Sequence, residues 1–270
     1  MVDLDWGSRS HPGCVRSVNE DATLAGPSLF AVVDGMGGHA AGEVAASLVA
    51  STLSSVAAQH PSPTSQVVRE ALDLANGSVR DAVRARPERH GMGATVAVLA
   101  VCADPDGEVV LVGNLGDARV YRLRDGRLEL LSTDHSVVQE LVDAGEISLE
   151  EAWTHPQRNE VTRALGPSET VEATWSSHEP RAGDRYLLCS DGLHDTVTDD
   201  RLGAGLAAGS GPPAVADALV QLAIDAGARD NVSVVVVDVD RVATSGDTRE
   251  GEDASESTVP VRRAEPEVAP

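Results

Sequence analysis

Apolar positions along this chain follow two spacings. Short runs of Val, Leu and Ala, bounded by Gly, Asp and Pro, read as strands at Leu29–Val33, Ala94–Val101, Val109–Val112, Arg119–Leu123, Arg185–Cys189 and Val232–Val239. Between the early runs the spacing changes to steps of three and four. One helix is expected over about residues 40–58 and a second over about 64–84, the latter with Val68, Leu72, Ala75, Val79 and Val83 on one face. A late helix carries Val215, Leu219, Leu222 and Ala226 and opens at Pro212 and Pro213. A shorter one is expected to start at Thr133–Asp134 as its N-cap and to stop before Gly145. Asp106–Gly107 and Asp125–Gly126 are hairpin turn signals, so the strands over 94–131 are expected to pair antiparallel. Runs of strands with grouped helices indicate an α+β layered fold rather than a doubly wound sheet. The stretch 145–170 has no period and holds Trp153, His155, Pro156, Arg158 and Arg163; a long irregular segment in a compact domain is often a functional flap. After about residue 240 large apolar side chains give way to Ser, Glu, Thr and Pro. A folded domain over 1–240 and a disordered acidic tail over 241–270 are therefore expected.

Composition narrows the chemistry. Aromatic residues are only 2%, so the core must be built from Ala, Val, Leu and Ile. The formal net charge of -22 argues against nucleic acid and against an anionic membrane surface as partners. The N-terminal MVDLDWGSRS is no signal peptide, and no apolar run approaches the roughly 20 residues of a membrane span. A cytoplasmic, monomeric protein is the expectation. All 21 basic residues are Arg, which excludes P-loop and protein-kinase chemistry and any lysine Schiff base. The three cysteines, Cys14, Cys102 and Cys189, are far apart and odd in number, and read as buried thiols of a reducing compartment. A cysteine phosphatase would need Arg six positions after its Cys, where this chain has Glu20, Glu108 and Asp195.

Four acids stand at the edges of apolar runs: Asp34 ending LFAVVD, Asp117 after VVLVGNLG, Asp191 ending RYLLCSD, and Asp230 before VSVVVVDV. A single Asp-Gly is commonly a plain turn. Asp34–Gly35 leads into a helix, however, and Asp191–Gly192 is followed by no second strand. Converging carboxylates repel, by about 4 kcal/mol for two charges ~4 Å apart at an effective dielectric near 20, and are stable together at neutral pH only with cations. Oxygen donors suit Mg2+ or Mn2+. Arg16, Asn19, Glu20 and Asp21 lie together in RSVNED, either as a surface ion pair or as a guanidinium fork for phosphate beside a metal carboxylate. The stretch Gly35 to Ala40 also fits G-x-G-x-x-A, but no second parallel strand ending in an acid follows its helix, so a dinucleotide fold is rejected.

The ordered series R-x-x-N-E-D, V-D-G-M-G-G-H, G-M-G-A-T, N-x-G-D-A-R, S-D-G and D-N-V-S resembles the metal-dependent protein phosphatase family of the PP2C or PPM type, in its bacterial branch. The likeness runs from about residue 5 to residue 239 and includes the TDHS and HPQRNEVTRALG stretches. It implies an α-β-β-α four-layer sandwich with two central antiparallel sheets. It further implies that Asp34 bridges two Mn2+ or Mg2+ ions, that Gly35 offers its carbonyl, that Asp191 and Asp230 hold one ion and that Glu20 holds the other. Asp117 with Asp191 matches the acids of a third ion. Arg16 matches the phosphate-binding Arg, while Asp21 and Asn231 support the site from behind and Arg158 and Arg163 belong to the substrate flap. The implied activity is hydrolysis of phospho-Ser and phospho-Thr by a metal-bridging hydroxide, on phosphoproteins made by cognate Ser/Thr kinases. The alternative is a catalytically silent binding module of the same fold, although none of the metal acids is missing. A calcineurin-like phosphoesterase would need His beside its GD motif, and GNLGDAR supplies none. The animal enzymes have a catalytic His where this chain has Met36. His39, at a helix start, is assigned to packing or capping, and His135, His155 and His194 to structural or surface roles.

Overall fold

The computed structural model describes residues 2–37 and 41–242. The chain begins with strands β1 (Val2–His11), β2 (Asp21–Ala25) and β3 (Leu29–Met36), followed by helices α1 (Ala41–Gln59) and α2 (Ser65–Ala85). Next come β4 (Gly93–Asp104), β5 (Gly107–Leu115), β6 (Arg119–Arg124) and β7 (Arg127–Leu130). The irregular segment after them carries two short helices, α3 (Val137–Asp143) and α4 (Leu149–Ala152). The domain closes with β8 (Thr174–His178), β9 (Arg185–Cys189), α5 (Asp191–His194), α6 (Asp199–Leu206), α7 (Pro212–Asp225) and β10 (Val232–Val242).

The strands form two five-stranded antiparallel sheets, ordered β1-β10-β9-β6-β7 and β2-β3-β4-β5-β8. Side chains alternate across each strand, and the two faces enter different cores. On β3, Leu29, Ala31 and Val33 pack under α1 and α2, while Phe30 and Val32 point into the layer between the sheets. On β10, Val232, Val234 and Val236 pack under α6 and α7, while Val235, Val237 and Val239 enter the same central layer. Strands buried on both faces need apolar residues at every position, which is why they read as unbroken runs in the sequence. The result is the expected four-layer α+β sandwich.

Several local expectations need correction. The short helix α3 is capped by Ser136, whose Oγ accepts from Gln139 N, and not by Thr133–Asp134. Asp134 is instead held by both Nε and Nη2 of Arg119. β5 and β6 are not a hairpin: they lie in different sheets, so the Gly116–Ala118 link crosses between layers. Strands β1, β2, β7 and β8 escaped notice because they lie at or near sheet edges with mixed polar and apolar residues. The helix α1 is, by length and composition, apolar enough to cross a membrane. In this fold its Ala45, Val49 and Leu53 face covers the sheet. Cys102 and Cys189 are buried but Cys14 is exposed. β10 runs to Val242, two residues past the expected boundary, and the tail from 243 onward lies outside the described residues, as does His39.

Phe30 is fully buried in the central layer and meets Trp6 edge-on at a centroid distance of 5.8 Å. Phe30→Ala is expected to cost about 3–5 kcal/mol, read as a lowered urea midpoint with an unchanged slope.

Candidate active site

The alternation that builds the central layer also builds the site. Asp34 has the same parity on β3 as Phe30 and Val32, so its carboxylate points between the sheets. Asp21 lies directly opposite on β2 and Thr95 directly opposite on β4. Ser190 continues the parity of Tyr186 and Leu188, and Asn231 and Ser233 continue that of Val235 and Val237. At this end the layer between the sheets thus changes from Val and Leu to Asp, Ser, Thr and Asn. Asp117, in the link from β5 to β6, and Asp191, at the first turn of α5, close the group. Together with Glu20, Gly35, Asp230 and Arg16 they line a cleft of about 270 Å3.

The loop carrying Arg16 and Glu20 is fastened to this end by Asn231. Its Nδ2 donates to Pro12 O and Val18 O, and its Oδ1 accepts from Glu20 N at 2.8 Å. Ser190 Oγ donates to Asp21 Oδ2 at 2.9 Å and accepts from Ser233 N. Gly35 N donates to Glu20 O, and Gly35 packs against Gly42 of α1. A Cβ on Gly35 would stand 2.1 Å from Gly42 O, and one on Gly42 would stand 2.6 Å from Gly35 O. Both glycines are required by this close approach of backbone to backbone.

Burial and mutual repulsion set the charge state. Asp34, Asp117 and Asp191 line the cleft, yet the surrounding protein removes most of their water. Burial first, and then repulsion from Asp21 and Asp191, pushes Asp34 well above the usual carboxylate range. Burial and then Asp117 do the same to Asp191. Asp117 is pushed up to about 7, by burial and then by Asp134. Asp21 rises to about 6 through burial, opposed by its serine hydrogen bonds. Arg16 Nη2 meets Asp230 Oδ2 at 2.7 Å, which raises the guanidinium pKa further and keeps it charged.

Two flanking groups were not singled out as site residues. Asp195 follows α5, repels Asp191, and is paired with Arg158 of the flap at 2.6 Å. Buried His194 reaches the carbonyl oxygen of Asp117 through Nε2 at 3.0 Å; its desolvation keeps the ring neutral, so Nε2–H donates and fixes the Asp117 backbone. The D-G-L-H-D order carried both signals, since one helical turn returns to the same face. Arg163 is placed differently from Arg158: it donates to Glu172 O and lines a neighbouring cavity of about 320 Å3 with Met36. His135 is a structural group, accepting from Gly116 N through Nδ1.

The donors fit a hard divalent cation. They are carboxylates and a backbone carbonyl, and Asp191 Oδ1 is buried with no hydrogen-bond partner. Among the described residues no three acid, His or Cys side chains already converge on one point. The acids stand around a common cleft, and positive charge there would offset the burial and the repulsion that raise their pKa values.

A family model described as Protein phosphatase 2C matches residues 15–220. The chain is 43% identical over 240 residues to the serine/threonine protein phosphatase PstP of Mycobacterium tuberculosis, covering 87% of this chain and 45% of that protein. It therefore spans less than half the length of that relative. It is 32% identical over 257 residues to the serine/threonine phosphatase stp of Listeria monocytogenes, covering 92% of this chain and 98% of that one. The crystal structure of the PstP catalytic domain in complex with two manganese ions superposes with a TM-score of 0.81 at 39% identity, covering 89% of this chain and all of that chain. With its acid motifs brought to one end of a four-layer sandwich, the chain belongs to the protein phosphatase 2C family.

Proposed function

We propose that this chain is a metal-dependent protein serine/threonine phosphatase, hydrolysing phospho-Ser and phospho-Thr to the free hydroxyl and inorganic phosphate. The observation that supports this reading above others is that Glu20, Asp34, Asp117, Asp191 and Asp230 line a single cleft together with one guanidinium. Asp34, the Gly35 carbonyl and Glu20 would hold one Mn2+ or Mg2+ ion, and Asp34, Asp191 and Asp230 a second. Asp117 with Asp191 would hold a third. Divalent cations held there would supply an acidified water and offset the charge of the phosphoryl oxygens.

The remaining work falls to the protein. Arg16 is half exposed at the mouth of the cleft, with a planar fork that matches two phosphoryl oxygens. In this structure Asp230 accepts one arm of that fork. Engagement of Asp230 in cation binding would free Arg16 for the phosphoryl group, so the two events are coupled through one ion pair. Asp21, Asn231 and Ser190 hold the cleft walls in register. Described residues of the cleft lining include no histidine, and Met36 occupies its rim. The enzymes that make the substrate must be protein kinases acting on Ser and Thr.

The direct test is hydrolysis of para-nitrophenyl phosphate and a phosphothreonine peptide by metal-stripped protein, with and without Mn2+. Turnover is expected only with Mn2+ and is expected to vanish with chelator. A folded, Mn2+-loaded protein inert on both substrates would leave a binding module as the reading. Asp191→Asn is expected to abolish turnover while leaving the circular dichroism spectrum unchanged; near-normal activity would refute the assignment.

A pH dependence follows for the metal-free protein. The folded Asp21 and Asp117 titrate near 6 and 7, against about 3.9 when unfolded. Between about pH 4 and 7 the folded state therefore holds protons that the unfolded state has lost, and these two groups make stability fall as pH rises. Urea titrations comparing wild type with Asp117→Asn are expected to show a shallower fall in the variant. Saturating Mn2+ is expected to remove most of the slope from the wild type.

A further inference from the structure

Next to the acid cleft lies a wider one of about 630 Å3, continuous with it through Arg16, Asn159, Asp191 and Asp230. Three guanidinium groups line it, Arg16, Arg158 and Arg229, in a chain whose formal net charge is -22. Two of them are balanced within the protein: Arg16 by Asp230 at 2.7 Å and Arg158 by Asp195 at 2.6 Å. Arg229 is exposed and makes no hydrogen bond or ion pair among the described residues. Its root is nevertheless fixed. On one side Ala228 is buried and accepts from Cys14 N at 2.8 Å; on the other Asp230 is tied to Arg16 and to Asn231 N. A long cationic side chain therefore projects from a rigid base beside the proposed reaction centre without an acid of its own, on a protein with 43 acidic residues.

A guanidinium in that position matches a carboxylate or a phosphate on a bound chain. We propose that Arg229 is a specificity-determining residue that engages an anionic side chain flanking the phosphoresidue to be hydrolysed. This inference rests on the phosphatase reading above and adds the class of protein substrate: segments with acidic or additional phosphorylated residues near the target. The long-range field of so acidic a protein opposes such segments, so the local guanidinium must supply the preference at close range, where screening is weakest.

The test uses the Mn2+-loaded full chain and a set of phosphothreonine peptides on an otherwise neutral parent. One flanking residue is replaced in turn by Glu, by Arg, or by a non-hydrolysable phosphonate analogue of phosphoserine, walked position by position along both flanks. For wild type, kcat/KM at the best Glu position is expected to exceed that of the neutral parent about five-fold, the size of one solvent-exposed ion pair, with the change in KM. A larger ratio for the phosphonate identifies a second phosphate as the preferred anion; a larger ratio for Glu identifies a carboxylate. Arg229→Ala is expected to bring the ratio to about one, and Arg229→Glu to favour the Arg-bearing peptide instead. Each ratio is internal to its variant, so a general loss of activity does not imitate the result. Equal ratios in wild type and both variants, or no acidic preference in wild type, would overturn the inference while leaving the phosphatase reading standing. A neutral parent peptide that is not hydrolysed at all would sink both.

Discussion

The structure turns on the repulsion among carboxylates gathered at the open end of its central layer. Asp34 and Asp21 are direct cross-strand neighbours, a like-charged pairing that ordinarily destabilises a sheet. Asp117 and Asp191 add to the same field. Nothing local favours this arrangement. It persists because the two sheets are clamped by three apolar layers and because Asn231, Ser190 and Ser233 fix the strands' ends with hydrogen bonds. The hydrophobic sandwich thus holds together a cluster of acids that would otherwise separate, and under the proposed function that repulsion would favour divalent cations.

Arginine serves two ends in this lysine-free chain. Arg119, Arg124 and Arg185 are tied by forked, part-buried hydrogen bonds to Asp134, Asp184 and Asp238, where a planar guanidinium meets both carboxylate oxygens. The arginines around the cleft are held more loosely, with larger exposure and single contacts or none. Arg16 binds Asp230, one of the cleft carboxylates, and Arg158 binds Asp195 just after α5. A change in charge at the cleft would therefore act on Arg16 and Arg158 through these two ion pairs.

How far the sequence could be read depended on how local each signal was. The long helices were legible because their caps and three-four spacing lie within one segment, and the central strands because burial on both faces leaves apolar runs. The acids were legible as candidates because each ends such a run. Other features were settled by distant partners. Asp134 looked like a helix cap until Arg119, 15 residues away, took both its oxygens, leaving Ser136 to cap α3. Asp195 and His194 looked ordinary because their significance lies in Arg158 and the Asp117 backbone. The edge strands carry too few buried residues to stand out.

The sequence by itself determined the long helices, the central strands and the candidate acids at the ends of apolar runs, since these follow from periodicity and ordered motifs. Only the tertiary structure decided which sheet each strand joins, that β5 and β6 part company, and that Arg16 faces Asp230 while Arg229 faces none of the described acids. Those outcomes depend on contacts between residues up to 240 positions apart, as in the pairing of Val2 with Val242. Such contacts form only when both sheets close on the central layer, so no window along the chain contains them.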